Sequence, residues 1–160
     1  MTEQEDCETT YVFDTSAILE CRQRYYPPDV FPSLYQKLEE VIEAGIIIVP
    51  DEVKTELSKK DDETLGWLKK NHKMVVELDE PIQQAVINIL NDYPKLVESG
   101  RRSGGDPFVI ALAQVRGAVV VTMEQNIPTE KKIKIPRVCE ALGIRCLSVV
   151  AFIREMKWAF

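Results

Sequence analysis

The 160-residue sequence has few of the residues from which zinc sites and disulfide frameworks are built. It contains one histidine, His72, which excludes a zinc site made of several histidines, and we expect His72 to lie on the surface. The four cysteines form no C-x-x-C pair: they are Cys7, Cys21, Cys139 and Cys146. Cys139 and Cys146 stand among apolar residues, so we expect thiols packed in a core rather than ligands or nucleophiles.

Long apolar runs are also missing. No stretch approaches the roughly 20 apolar residues that a membrane-spanning helix needs. The chain opens with polar and acidic residues instead of an apolar signal segment, so we expect a soluble protein of the reducing cytoplasm. The composition is 45% hydrophobic and 29% charged, so a chain of this length can bury a substantial core without disulfides or a structural metal.

The formal net charge of −6 argues against a protein that coats nucleic acid without specificity. It does not argue against an enzyme that acts on nucleic acid, because the carboxylates of a divalent-metal site themselves add negative charge. The basic residues occur in groups, and most of these groups are typical of solvated helix and loop surface. Arg101 and Arg102 are of more interest, since they lie a few residues before Asp106.

Apolar runs alternate with amphipathic segments along the chain. We predict a loose tail over 1–10 and a single domain over 11–160. Strands are predicted near 11–14, 46–49, 74–78, 118–122 and 144–147. Helices are predicted near 16–24, 32–44, 62–70, 79–92 and 136–142, with three more capped by Asp51, Asp106 and Ser148. This alternation predicts a three-layer α/β/α fold with a mostly parallel central sheet.

Four acidic residues stand where a parallel sheet would bring them together. Asp14 ends the first predicted strand, and Glu124 follows the strand near 118–122. Because parallel strands point the same way, these two ends share one edge of the sheet, and helices begin at that edge too. Asp106 opens its helix there, and Glu56 shares one face of an earlier helix with Glu52. We therefore predict that the four carboxylates converge.

Carboxylates in this arrangement suit a hard divalent cation, which prefers oxygen ligands. Such an ion can activate water and stabilise the charge that develops on a phosphodiester. Each acid also has an ordinary structural role, because Asp14 and Asp106 can cap helices, Glu56 can complement a helix dipole and Glu124 can be a loop acid. The metal-site hypothesis therefore rests on the four residues together and on their order in the chain.

The sequence resembles the PIN-domain family from about residue 11 to the last helix. Four segments carry the resemblance in order: 11–17 (YVFDTSA), 49–57 (VPDEVKTEL), 105–111 (GDPFVIA) and 120–124 (VVTME). The segment 135–147 (IPRVCEALGIRCL) is similar to a bacterial and archaeal branch close to VapC-like toxins.

The resemblance implies a PIN-like fold and a Mg²⁺- or Mn²⁺-dependent endoribonuclease. Asp14, Glu56 and Asp106 match the metal-binding acids of the family. Glu124 departs from the aspartate that is more usual at the fourth position, and we expect it to reach the metal directly or through water. A hydroxyl or backbone amide of Thr15 or Ser16 is a further, weaker candidate for a contact near the metal or phosphate.

The resemblance also implies partners. The substrate would be RNA, with Arg101 and Arg102 countering its phosphates at the rim of the acidic pocket. A VapC-like protein is expected to be the toxin of a toxin–antitoxin pair, to form a homodimer and to be inhibited by an antitoxin protein. No membrane partner is implied.

Two other functions remain open from the residues. The first is a catalytically idle PIN fold that serves as a binding or scaffold module, because a complete acidic set permits activity without demonstrating it. The second is a phosphatase in which Asp14 is a covalent nucleophile. Phosphatases of the haloacid-dehalogenase type carry a second aspartate two residues further on, and this chain has Ser16 there.

Overall fold

A five-stranded parallel sheet forms the centre of the protein. The computed structural model describes residues 9–96, 105–124 and 134–160. The strands are β1 (Tyr11–Phe13), β2 (Ile47–Pro50), β3 (Val75–Val76), β4 (Val119–Val121) and β5 (Cys146–Leu147). They are arranged in the order β3-β2-β1-β4-β5, and each described pair of neighbours is parallel.

Eight α-helices connect and cover these strands within the described ranges. They are α1 (Thr15–Glu20), α2 (Pro32–Glu43), α3 (Asp51–Lys60), α4 (Asp62–Lys70), α5 (Glu80–Asp92), α6 (Gly105–Arg116), α7 (Ile135–Leu142) and α8 (Val149–Glu155). A π-helical turn over Cys21–Tyr25 extends α1, and short 3-10 turns cover His72–Met74 and Pro94–Leu96. The predicted fold class, a three-layer α/β/α arrangement with a parallel sheet, is confirmed.

The three central strands are apolar along their whole length because both faces of the sheet are covered. Every residue of β1, β2 and β4 is buried, and β4 consists of three consecutive valines. Buried parallel strands favour such continuous β-branched runs over an alternation of polar and apolar residues. Phe152 of α8 packs its ring edge-to-face on Tyr11 and Phe13, with centroids 4.9 and 5.1 Å away. These contacts fix α8 against β1.

Some element ends differ from the prediction. Strand β3 is shorter than predicted, since Met74 belongs to a 3-10 turn and Glu77 and Leu78 are exposed. The capping predictions for Asp51 and Asp106 are wrong. Pro50 precedes α3 in an extended conformation, so Asp51 is already the first helical residue, and Asp106 lies in the first turn of α6.

The predicted cap of the last helix is confirmed. Ser148 Oγ accepts a hydrogen bond of 3.2 Å from the backbone N–H of Ala151. In the part of the chain that the structure describes, no helix is both long and apolar enough to cross a membrane. Most of the predicted N-terminal tail and both Arg101 and Arg102 lie outside the described residues.

Candidate metal centre

Three carboxylates from distant parts of the chain meet at the carboxyl end of the sheet. Asp14, Asp106 and Glu124 each offer one oxygen, and these oxygens all lie within 4.8 Å of one another. Asp14 follows β1, and its backbone N–H donates a 2.9 Å hydrogen bond to the carbonyl of Val121 at the end of β4. Because β1 and β4 are paired from Tyr11 to Phe13, the residues after both strands are held side by side.

The Asp14 carboxylate is 2% exposed and held by two hydroxyl groups. Ser16 Oγ and Thr122 Oγ1 both donate to Asp14 Oδ2, at 2.6 and 2.9 Å. The hydroxyl oxygens in turn accept from the backbone N–H groups of Met123 and Glu124, at 3.2 and 3.1 Å. No described residue donates to Asp14 Oδ1. The network therefore fixes the orientation of the carboxylate and leaves one oxygen able to bind a cation.

A helix N-terminus holds the Glu124 carboxylate. Its Oε2 accepts a 3.0 Å hydrogen bond from the backbone N–H of Ile135, the first residue of α7. The first N–H groups of a helix have no partner within the helix and carry a partial positive charge, so a carboxylate is a favourable partner there. The longer side chain of glutamate at this position is thus oriented by a segment that lies eleven residues further along the chain.

Glu56 lies beside this group without belonging to it. The three residues whose oxygens meet within 4.8 Å, as found in the described residues, do not include it. Its charge nevertheless acts on Asp14 and raises the pKa of that carboxyl group. Glu56 Oε1 is buried and has no hydrogen-bond partner among the described residues. A buried carboxylate oxygen without a donor is costly, and a bound cation or its water is the kind of partner that would satisfy it.

The electrostatics of Asp14 reflect the crowding of acids. The pKa of Asp14 is raised from 3.8 to about 6, and burial is the largest cause. The charges of Glu124 and Glu56 raise it as well, whereas the hydrogen bonds from Ser16 and Thr122 lower it. A divalent cation would remove both the repulsion and the cost of burial. The donor set is made of oxygens, and it therefore fits Mg²⁺ or Mn²⁺ better than a metal that prefers nitrogen or sulfur.

The described cysteines and His72 lie outside the group of three carboxylates. Cys21 and Cys139 are buried and Cys146 is partly buried, and all three are free thiols. A hydrogen bond between Cys139 and Cys146 raises the pKa of the Cys139 thiol and lowers that of Cys146. His72 is exposed, as predicted.

Thr122 is the part of this centre that the sequence did not indicate. The residue is 3% exposed and contacts both Asp14 and the backbone of Glu124. A hydroxyl residue directly after three buried valines was the available signal, because a polar group at that depth needs a partner. The hydroxyl of Ser16 has a larger part in the centre than its weak sequence signal indicated.

The sequence over residues 11–160 matches the family described as "Domain of unknown function (DUF4411)". The chain belongs to this family. Comparison of the DUF4411 chain with curated proteins by sequence finds no match.

Two solved structures are similar to the DUF4411 chain at low sequence identity. A crystal structure of FitAcB from Neisseria gonorrhoeae is 14% identical, with 86% of this chain and 96% of that chain covered and a TM-score of 0.49. A crystal structure of PAE2754 from Pyrobaculum aerophilum is 17% identical, with coverage of 84% and 97% and a TM-score of 0.44. These distant likenesses assign no activity to the DUF4411 chain.

Proposed function

We propose that this protein is a divalent-metal-dependent endoribonuclease that hydrolyses phosphodiester bonds of RNA. The observation that carries this function is the group formed by Asp14, Asp106 and Glu124, with oxygens within 4.8 Å of one another. Three acids gathered at the carboxyl end of a parallel sheet lie where α/β folds bind their ligands. A purely structural role would not require like charges from three separate elements to be crowded together.

The metal ligands in this proposal are Asp14, Asp106 and Glu124, with Glu56 binding directly or through water. When bound, Mg²⁺ or Mn²⁺ would lower the pKa of a water and stabilise the charge that develops on the phosphodiester. Ser16 and Thr122 orient the Asp14 carboxylate through their hydrogen bonds to Oδ2. The N-terminus of α7 holds Glu124 in the same way.

The choice of RNA and of partners rests on the resemblance to PIN domains. The four matching segments occur in the family's order and contain the four acids. On this basis we propose a toxin of a toxin–antitoxin pair that acts in the cytoplasm as a homodimer and is inhibited by an antitoxin protein. Arg101 and Arg102 are proposed to contact the RNA phosphates, because they precede Asp106 by only a few residues.

The test compares the purified protein with its Asp14→Asn variant on labelled single-stranded and structured RNAs, in Mg²⁺, in Mn²⁺ and in EDTA. We expect cleavage that requires metal and falls at least about 100-fold in the variant, since a metal ligand is lost. Asp29→Asn is the matched control, because Asp29 is exposed and lies outside the group of three carboxylates. Full metal-dependent cleavage by Asp14→Asn would show that the assignment is wrong.

Calorimetric titration with Mn²⁺ gives a second readout that does not depend on the substrate. The wild-type protein and Asp29→Asn should bind the ion, and Asp14→Asn should bind it at least about 10-fold more weakly. Binding of Mn²⁺ without cleavage of any RNA would favour the catalytically idle binding module over the nuclease.

A further inference from the structure

Two thiols lie next to each other beside the proposed metal centre. Cys139 belongs to α7 and Cys146 to β5, and a hydrogen bond joins their side chains. Helix α7 ends just before Gly143, which reverses the chain in a left-handed conformation with a φ of 71°. The backbone N–H of Ile144 then donates a 2.8 Å hydrogen bond to the carbonyl of Cys139. This turn holds the two cysteines together through the backbone as well as through their side chains.

The two thiols differ in their access to solvent. Cys139 is packed in the core, as the sequence predicts, whereas Cys146 is only partly buried and lies on an edge strand of the sheet. The hydrogen bond from Cys139 lowers the pKa of the Cys146 thiol. Burial and the charges of Asp14 and Glu124 act in the opposite direction. A partly exposed thiol with a second thiol within reach is the usual arrangement of a redox-sensing cysteine and its resolving partner.

Helix α7 connects this pair of thiols to one acid of the metal centre. Cys139 lies four residues after Ile135, about one helical turn further along the same buried side of α7. The backbone N–H of Ile135 is the donor that holds the Glu124 carboxylate. A displacement of α7 at Cys139 would therefore displace the donor of Glu124 as well.

Strand β5 connects the pair to a second acid. Leu147 directly follows Cys146, and its carbonyl accepts a 2.9 Å hydrogen bond from the backbone N–H of Thr122. Thr122 is the residue whose hydroxyl donates to Asp14. The two thiols thus lie between the two elements that orient Glu124 and Asp14.

We propose that Cys139 and Cys146 form a reversible disulfide when the protein meets hydrogen peroxide, and that this bond weakens cation binding by the carboxylate centre. The effect on cation binding rests on the proposed function, whereas formation of the disulfide does not. Bonded sulfur atoms lie closer together than hydrogen-bonded thiols, so the bond draws α7 towards β5. The N-terminus of α7 then no longer holds Glu124 in the orientation that the other two acids require.

The oxidation takes two steps. The Cys146 thiolate attacks one oxygen of hydrogen peroxide, the O–O bond breaks, and a sulfenic acid forms while the released hydroxide takes up the thiol proton as water. The Cys139 sulfur then attacks the sulfenic sulfur, the S–O bond breaks, and hydroxide leaves with the Cys139 proton as a second water. Two thiols are oxidised and one peroxide is reduced. A dithiol reductant reverses the reaction by thiol–disulfide exchange, so the bond would be transient in the reducing cytoplasm proposed for this protein.

The first experiment treats the folded full chain with hydrogen peroxide and maps its tryptic peptides by mass spectrometry. The chain carries Cys7→Ser, because Cys7 lies outside the described residues and its removal leaves the three free thiols of the structure. Trypsin cleaves after Arg145, so Cys139 and Cys146 fall in separate peptides. We expect these two peptides to be joined, with the loss of two hydrogen atoms, and to separate in dithiothreitol.

Two variants of this chain provide the comparison. Cys146→Ser should form no disulfide in peroxide. Cys21→Ser is the matched control and should form the bond as its parent does, because Cys21 is a buried thiol that contacts Tyr35 instead of the other cysteines.

The same samples test the effect on the metal centre. The oxidised protein should bind Mn²⁺ about 10-fold more weakly by calorimetry, and dithiothreitol should restore the affinity. Peroxide should leave the affinity of Cys146→Ser unchanged, which controls for oxidation elsewhere in the chain. Amide hydrogen exchange of Ile135 gives a readout that needs no metal. It should be faster in the oxidised protein, because the hydrogen bond from Ile135 to Glu124 is weakened.

The inference is overturned if peroxide leaves Cys139 and Cys146 unlinked in the folded protein. It is also overturned if the oxidised and reduced proteins show the same Mn²⁺ affinity and the same exchange of Ile135. The two proposals can fail separately. A disulfide that speeds the exchange of Ile135 in a protein that binds no Mn²⁺ would support the thiol pair and refute the metal site. Metal-dependent cleavage of RNA by a protein that forms no such disulfide would refute the thiol pair alone.

Discussion

Replacing Asp14 by asparagine should make the metal-free protein more stable and make it insensitive to Mg²⁺. Asp14 is buried among other acids, and its pKa is raised from 3.8 to about 6. Each unit of pKa corresponds to about 1.4 kcal/mol, so the charged carboxylate costs the folded state about 3 kcal/mol at neutral pH. Asparagine has nearly the same shape, and its carbonyl oxygen can still accept from Ser16 and Thr122.

The expected gain in stability is smaller than the full cost of the charged Asp14 carboxylate, because the side-chain N–H groups of asparagine must find hydrogen-bond acceptors. The carboxylates of Asp106 and Glu124 are close enough to provide them. We therefore expect the free energy of unfolding in EDTA to rise by about 1 to 3 kcal/mol, which is a rise in Tm of about 2 to 4 °C for each kcal/mol in a protein of this size. Excess Mg²⁺ should raise the Tm of the wild-type protein and leave that of the variant nearly unchanged.

The gain should depend on pH in a definite direction. The pKa of Asp14 is higher in the folded than in the unfolded state, so its contribution to stability is most favourable below 3.8 and is lost as the pH rises through about 6. The difference between wild type and Asp14→Asn should therefore be small in acid and reach its full size above about pH 7. Taking the difference between the two proteins cancels the titration of the groups that do not interact with Asp14.

Thermal and urea unfolding in EDTA and in excess Mg²⁺, across this pH range, provide the measurement. Asp29→Asn is the control, since it removes one exposed carboxylate outside the group of three. The reasoning is refuted if Asp14→Asn is less stable than wild type in EDTA at neutral pH. It is equally refuted if Mg²⁺ stabilises both proteins by the same amount.

Three further substitutions test other parts of the structure. Phe152→Ala removes a fully buried ring and should lower the free energy of unfolding by about 3 to 5 kcal/mol in urea; a loss below about 1 kcal/mol would contradict the packing described for α8. Thr122→Val keeps the shape of the side chain but removes the hydroxyl that donates to Asp14. It should lower the free energy of unfolding by about 1 to 3 kcal/mol and weaken Mn²⁺ binding, measured by calorimetry, about 10-fold. An unchanged Mn²⁺ affinity would exclude a positioning role for Thr122. Glu155→Gln weakens an exposed ion pair with Arg145, so it should lower the free energy of unfolding by at most about 1 kcal/mol near neutral pH. Because the hydrogen bond from Arg145 lowers the pKa of Glu155, the difference in free energy of unfolding should fade as the pH falls below 4.5. A difference in urea unfolding that does not depend on pH would contradict a stabilising ion pair between Arg145 and Glu155.

Much of the fold could be predicted because its signals are local. The buried run in β4 and the helical spacing of α5 depend on residues that are neighbours in sequence, and both elements occur where they were predicted. The ends of elements were less predictable. Strand β3 keeps only Val75 and Val76, since the strand pairs with β2 at its Val49 and Pro50, and the next two residues are exposed.

The convergence of Asp14, Asp106 and Glu124 followed from sequence by a topological argument, because parallel strands and the helices after them meet at one edge. The contacts that orient these acids did not follow from it. Thr122 reaches Asp14 across 108 positions, and Ile135 reaches Glu124 across eleven. No periodicity of the sequence encodes a hydrogen bond between elements that only packing brings together.

The sequence by itself therefore determined the fold class, the order of strands and helices along the chain and the set of candidate acids, since apolar periodicity and residue chemistry are local properties. Only the tertiary structure decided which acids share a centre, which oxygen of Asp14 is left available and where Glu56 lies relative to the other three. The physical reason is that distances and burial arise from long-range packing, which sets the charges and the open coordination sites of the centre.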